Sequence, residues 1–319
     1  MKIIAELCQN HNGSIETVFD MVDECVEAGA THVKIQHILA KNITYRQQFE
    51  EGGLDPISGT EYIKRPYKEE YERLLNLELT NDEVISFIEH CNSKGVIPMT
   101  TCFCTQHVID LKEFGFKEIK VASYDCASHS MIKVLKDNFD HIYVSTGASF
   151  DEEIVKTAEI LDSKKSSFLH CVTRYPTPLD CLNIGRMSWL KLFDRPVGYS
   201  DHSLKAKDGT SALKIAIAAG AEVIEAHYRI FPANKSKDGP VSIDKFQLKE
   251  IKEFSMLDKS EQLRIISNEN LQSHLDLFNK EFVMTSEEYK NRLYFRGRFA
   301  SLVEKNGMKF HLYNWEEYT

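Results

Sequence analysis

Short β-rich runs alternate with helical patterns along most of this chain, and the alternation leaves few folds open to it. The runs lie at residues 3–7, 31–36 (THVKIQ), 96–102 (VIPMTTC), 118–123 (EIKVAS), 141–146 (HIYVST), 166–171 (SSFLHC), 195–201 (RPVGYSD) and 223–228 (VIEAHY). Strands that pair in parallel need a long crossover, and the helical stretches between the runs supply it. After the first run, Ser14 opens a helix with Ile15, Val18, Phe19, Val22 and Val26 on one face, ended by Gly29. A polar excursion follows the second run as far as Thr80, where Thr80 and Glu83 make a capping-box pattern. Eight βα units predict an α/β fold, a TIM (β/α)8 barrel over residues 1–257. The alternative, a doubly wound open sheet, lacks a GxGxxG after its first strand. Residues 258–319, with Leu263, Ile266, Leu271, Leu275 and Leu277 spread through them, are expected to form a short helical C-terminal extension packed on the barrel.

Charge and composition exclude several classes of function. A net charge of -9 without a basic tail argues against nucleic acid as a partner. The chain opens directly on a strand, MKIIAEL, and no run reaches eighteen apolar residues, so no membrane span or secretion signal is expected. Eight cysteines without a CxxC pair read as small hydrophobes in a reducing, cytoplasmic protein.

In such a barrel the chemistry collects where the strands end. Glu6 ends the first run, Lys34 and Gln36 the second, Thr101 the third, and Lys120 with Ser123 the fourth. Ser145 and Thr146 precede Gly147, His170 and Cys171 end the sixth run, Ser200 to His202 the seventh, and His227 lies in the eighth. Two lysines and several hydroxyls around one mouth suit a compact anion such as phosphate or carboxylate, although each lysine could instead pair with an interior carboxylate. His202 and His227, on adjacent strands, are candidate ligands of a divalent metal in an open site; a lone strand histidine is more often a hydrogen-bonding core residue, and it is the pairing that favours the metal. The HNG at 11–13 reads either as an anion-binding turn or as the loop that starts the first helix. His32, His90, His107, His274 and His311 carry no convergent partners and are taken as structural.

The runs IAELCQNHNGS (4–14), EAGATHVKIQ (27–36), MTTCF (99–103), IKVAS (119–123), VSTG (144–147), HCVTRYPTP (170–178), GYSDHS (198–203) and IEAHY (224–228) resemble, in order, the N-acetylneuraminate (sialic acid) synthase family and its nonulosonic acid relatives. The resemblance covers residues 3 to about 255. It implies condensation of phosphoenolpyruvate with an aldose, N-acetylmannosamine or a relative, to give a 3-deoxy-2-ulosonic acid and phosphate. It further implies that His202 and His227 hold manganese, or magnesium or cobalt in its place. Lys34, Thr101, Lys120, Ser123, Ser145, Ser200 and Thr173 match positions that hold phosphoenolpyruvate. Glu6, Gln36, Phe103, Asp125 and Tyr175 match positions near the reacting centre or the sugar, with Asp125 where glutamate is common; Glu6 and Asp125 are the candidates for proton transfer. The family is commonly a homodimer.

The sequence departs from the family pattern in three places. The small antifreeze-like domain that usually follows the barrel, and brings an arginine to a partner's sugar site, is expected to be absent or truncated. The usual PGPD reads DGPVS (238–242), placing Val241 where a sugar-binding aspartate is expected. Arg65, with Arg46 close by, stands where a small polar sugar contact is usual. Arg65 therefore predicts an anionic acceptor, or else an ion pair with Glu69 or Glu70. Two rival functions are a non-catalytic sugar-binding barrel and a Schiff-base aldolase using Lys34 or Lys120.

Overall fold

The computed structural model describes residues 1–275 and 283–317. Its centre is a closed barrel of eight parallel strands: β1 (Lys2–Cys8), β2 (His32–Ile35), β3 (Ile97–Thr101), β4 (Glu118–Val121), β5 (His141–Ser145), β6 (Ser166–His170), β7 (Val197–Asp201) and β8 (Val223–His227). Each strand pairs with its neighbours in sequence, and β8 closes on β1, so the expected TIM barrel is what the chain forms. Glu6 of β1 sits opposite His227 on one side and Lys34 on the other. Among the described residues, no helix is long and apolar enough to cross a membrane.

The helices follow from caps and apolar stripes. In α1 (Ile15–Glu27) the Ser14 side chain accepts from the Thr17 amide, and Val18, Met21, Val22 and Cys25 are buried against the barrel. In α2 (Asn81–Ser93) the Thr80–Glu83 capping box forms as expected. The ring continues with α3 (Val108–Phe114), α4 (His129–Asn138), α5 (Asp151–Ile160), α6 (Arg186–Leu190), α7 (Ser211–Ala218) and α8 (Lys245–Met256). Residues 212–218 of α7 are all buried, because the helix packs inward on the barrel and outward on the extension. Inside the barrel, Ile4, Met99, Tyr143, Leu169 and Val223 form an apolar plug. Each such side chain contributes about 1.5–3 kcal/mol by leaving water. The plug leaves the carboxyl ends of the strands as the end where polar side chains gather.

The extension is only partly helical, which corrects the expectation for residues 258–319. It begins with α9 (Lys259–Asn268) and α10 (Ser286–Phe295), but then forms an antiparallel hairpin, β9 (Ser301–Lys305) and β10 (Met308–Leu312). The hairpin turns on Asn306 and Gly307, both at positive φ (55° and 77°), the conformation an Asn-Gly pair favours between two strands. Residues 276–282, including Leu277, and 318–319 lie outside the described residues. The extension crosses the carboxyl end of the barrel: the Ala300 amide donates to the Asn42 carbonyl at 3.0 Å and the Thr44 amide to the Arg298 carbonyl at 2.9 Å. Asn291 donates from its side chain to the Thr173 carbonyl at 2.7 Å, and Arg292 pairs with Glu153.

Candidate active site

A cavity of about 500 Å³ opens at the carboxyl ends of the strands. Of the residues singled out in the sequence, Glu6, Lys34, Gln36, Arg65, Thr101, Phe103, Lys120, Ser123, Asp125, Ser145, Tyr175, Ser200, His202 and His227 all line it. Thr173 does not: it is fully buried, and its hydroxyl has no hydrogen-bond partner. It packs instead behind Gly147, whose missing Cβ would lie 2.7 Å from the Thr173 methyl.

Alternation along the strands aims these groups inward. On the floor, Lys34 pairs with the Glu6 carboxylate and donates to the Thr101 hydroxyl at 3.0 Å. Lys120 donates to the Ser145 hydroxyl at 2.6 Å and lies 3.6 Å from Glu225, which also accepts from the Ser200 hydroxyl at 3.0 Å. Each lysine thus meets an interior carboxylate and also lines the cavity. Burial pulls the Lys34 ammonium down to about 7. Burial would raise the Glu225 carboxyl, but Lys120 and Lys34 outweigh it and hold the group at about 2.

His202 and His227 stand with ring centroids 5.3 Å apart, and the Tyr175 ring lies 4.2 Å from His202. His202 Nδ1 is 2.9 Å from the Val172 carbonyl, which only accepts, so this nitrogen carries the proton and Nε2 keeps its lone pair. Burial lowers both imidazoles to about 4, which keeps them neutral, the form that ligates a cation. The donor set therefore fits a divalent ion.

Asp125 is buried, and its carboxylate accepts from Ser128 at 2.7 Å and from Asn314 of the extension at 3.1 Å. Arg65 has no ion pair with Glu69 or Glu70 among the described residues. Its guanidinium lies 4.7 Å over the Tyr294 ring. Glu70 is taken by Arg73 and Arg298. Arg46 does not line the cavity and donates to the carbonyls of Leu293, Tyr294 and Arg296, tying down the extension. At 11–13, His11 Nδ1 accepts from the Gly13 amide at 3.1 Å, so that turn serves the entry to α1. Val241 lines the cavity as an apolar residue, whereas Asp238, three positions earlier, supplies a carboxylate.

Sequence reasoning missed Glu225, Cys8, Asp238, Arg73, Lys237 and Arg298. Glu225 was within reach, because a period of two along β8 puts it on the same face as His227. Arg298 comes from the extension and could not be placed without knowing how that segment docks.

The sequence model of the NeuB family matches residues 21–262. A pseudaminic acid synthase of Campylobacter jejuni is 30% identical over 312 residues, 97% of this chain and 84% of that protein. An N,N'-diacetyllegionaminic acid synthase of Legionella pneumophila is 30% identical over 264 residues, 78% of this chain and 69% of that protein. The crystal structure of an N-acetylneuraminic acid synthetase from Leptospira borgpetersenii superposes with a TM-score of 0.67 at 24% identity, covering 85% of this chain and 92% of that one, and shares the fold.

Proposed function

The chain belongs to the NeuB family of phosphoenolpyruvate-condensing nonulosonic acid synthases, and from that premise we propose a division of labour within its cavity. Phosphoenolpyruvate occupies the floor, where Lys34 and Lys120 offset its phosphate and carboxylate charge and the hydroxyls of Thr101, Ser123, Ser145 and Ser200 orient it. The acceptor aldose lies above it, between Gln36, Phe103, Tyr175 and Arg65. His202 and His227 would hold a divalent ion, which would supply polarisation of the acceptor's aldehyde. C3 of phosphoenolpyruvate forms the new bond to the aldehyde carbon, water adds at C2, and phosphate leaves from the resulting tetrahedral centre. Glu6 and Asp125 are the groups within the cavity that move protons in these steps. The observation that carries this reading is the convergence of Lys34 and Lys120, each with its hydroxyl partner, beside the His202–His227 pair.

The acceptor we infer is negatively charged. Arg65, Arg73, Arg298 and Lys237 line the cavity together with Asp238, and Arg73 and Arg298 also pair with Glu70. A guanidinium stacked on aromatic rings stays available for bidentate contact with a carboxylate or phosphate.

Phosphate release from phosphoenolpyruvate with neutral and anionic N-acylated aldoses, before and after chelation, tests both statements. Release should need an aldose, a divalent ion and His202, and Arg65→Ala should raise KM for the anionic acceptor. Release equal for neutral acceptors, with KM unmoved by Arg65→Ala, would remove the charged-acceptor reading. No release with any aldose, alongside binding of phosphoenolpyruvate in a separate titration, would favour a binding protein. Borohydride trapping without metal would favour the Schiff-base aldolase.

A further inference from the structure

Cys8 is the last residue of β1, and its backbone lies at φ 50°, a region that suits glycine and strains other side chains. The pairing with β2 slips between Glu6 and Cys8, and the Cys8 amide donates to Glu6 Oε1 at 2.7 Å. Its thiol thereby comes within 3.0 Å of His227 Nδ1. Asp238 reaches the same nitrogen from the loop after β8, with Oδ2 3.9 Å away.

That loop is built to hold Asp238 there. The Asp238 amide donates to Asn10 Oδ1 at 3.1 Å, and Asn10 Nδ2 donates to the Tyr228 carbonyl at 2.7 Å and the Ser242 hydroxyl at 3.0 Å. Asn10 is fully buried and so stitches the end of β1 to the end of β8. Gly239 follows because a Cβ there would lie 2.0 Å from the Ala233 carbonyl oxygen. A sulfur, an imidazole nitrogen and a carboxylate oxygen thus gather within 4.8 Å of one another.

We propose that Cys8, His227 and Asp238 together ligate one divalent cation, with His202, whose ring centroid lies 5.3 Å from that of His227, as a further donor, and that the cysteine makes the site thiophilic. The inference rests on the metal-assisted reading of this cavity and deepens it: the ion would be zinc, iron(II) or cobalt(II) rather than magnesium or manganese, since thiolate favours the softer ions. Binding displaces the thiol proton to solvent as the sulfur–metal bond forms. Donors about 2.0–2.3 Å from one ion stand about 3–4 Å from one another, and the Cys8–His227 and His227–Asp238 contacts at 3.0 and 3.9 Å are near that spacing, so modest side-chain rotations complete the sphere. Three protein donors, or four with His202, still leave a position for a substrate oxygen in a five-coordinate ion.

The test uses the full chain stripped by a chelator and titrated with cobalt(II), followed by competition with zinc. The wild type should bind about one ion per chain and show the near-ultraviolet charge-transfer absorption of a cobalt–thiolate bond. Cys8→Gly should lose that absorption and bind zinc at least about tenfold more weakly. Glycine accepts the backbone of residue 8 without strain, so the variant should fold, which circular dichroism checks. Asp238→Asn should keep the absorption and weaken binding. A folded wild type that takes up cobalt without a thiolate band, or zinc affinity unchanged in Cys8→Gly, would overturn the proposal. Phosphate release on the same preparations separates the two readings. A thiolate band without release under any aldose would support the metal site and sink the synthase reading; release with manganese but no band in cobalt would do the reverse.

Discussion

Asn314 donates from Nδ2 to Asp125 Oδ1 at 3.1 Å and to the Phe103 carbonyl at 2.8 Å, so the segment after the last hairpin strand ends on a carboxylate inside the barrel mouth. Burial raises the Asp125 carboxyl above the ordinary aspartate value, while Asn314 and Ser128 pull it back. The extension therefore tunes a carboxyl that lines the candidate site, and does so from within the same chain.

Removing that hydrogen bond should leave Asp125 more basic. One neutral hydrogen bond is worth about 1 kcal/mol, which corresponds to somewhat under one pH unit. In Asn314→Ala the acid limb of the kcat/KM profile for phosphate release should move to higher pH by about that amount. A limb that stays in place would show that Asp125 is not the group titrating in the reaction.

The buried Lys34–Glu6 pair predicts an asymmetry in stability. Lys34→Met leaves the Glu6 carboxylate buried without its counter-charge, which costs about 3–5 kcal/mol. Adding Glu6→Gln to that variant removes the orphaned charge and should recover a good part of the loss. Denaturant midpoints for the two variants and the wild type decide the matter; equal midpoints for the single and double variants would mean that the pair is not coupled in the folded protein.

The barrel was legible because each strand carries enough β-branched and apolar residues to declare itself, and because Thr80 and Glu83 mark the resumption of the helical ring after the long second loop. The inward set was legible for the same reason: once a strand's end is located, a period of two assigns Lys34, Thr101, Lys120 and Ser145 to the mouth. Thr173, taken from the family resemblance alone, follows β6 in a loop, where no period fixes direction, and it does not line the cavity. The hairpin at 301–312 was passed over although Asn306-Gly307 between SLVEK and MKFHL is a strong turn signal. Cys8 gave no sign at all, since its role depends on a backbone angle and on a loop more than two hundred residues away in sequence. Arg298 and Asn314 depended on docking of the extension, which arises from long-range hydrogen bonds rather than local pattern.

Gly198 predicts where the barrel tolerates no side chain. A Cβ at this position of β7 would stand 2.2 Å from the Val223 carbonyl oxygen and 2.6 Å from a Leu169 methyl, wedging neighbouring strands apart. Gly198→Ala should destabilise the protein by about 3 kcal/mol, and thermal unfolding measures it. The loss should appear equally with and without phosphoenolpyruvate, because the clash lies in the wall and not in the ligand's position.

Acid should act on the extension through Glu70. Burial on its own would raise this carboxyl, but Arg73, Arg298 and Arg65 together hold it at about 2. Arg298 belongs to the extension and Arg73 to the helix Tyr67–Leu75 of the second loop, so the ionised carboxylate joins the two. A carboxyl with a depressed value binds its proton more readily in the unfolded chain, whose value is near 4.3. Its contribution is thus present in full above that value and is lost as pH falls through about 2. The upper size of the effect is about 3 kcal/mol, since the shift is somewhat over two units and each is worth about 1.4 kcal/mol. Stability measured between pH 6 and about pH 2.5 should fall less steeply in Glu70→Gln than in the wild type, with the variant weaker at neutral pH. Limited proteolysis should then find residues 283–317 released ahead of the barrel as acid is added. Parallel acid limbs in the two proteins would show that this carboxylate does not pin the extension.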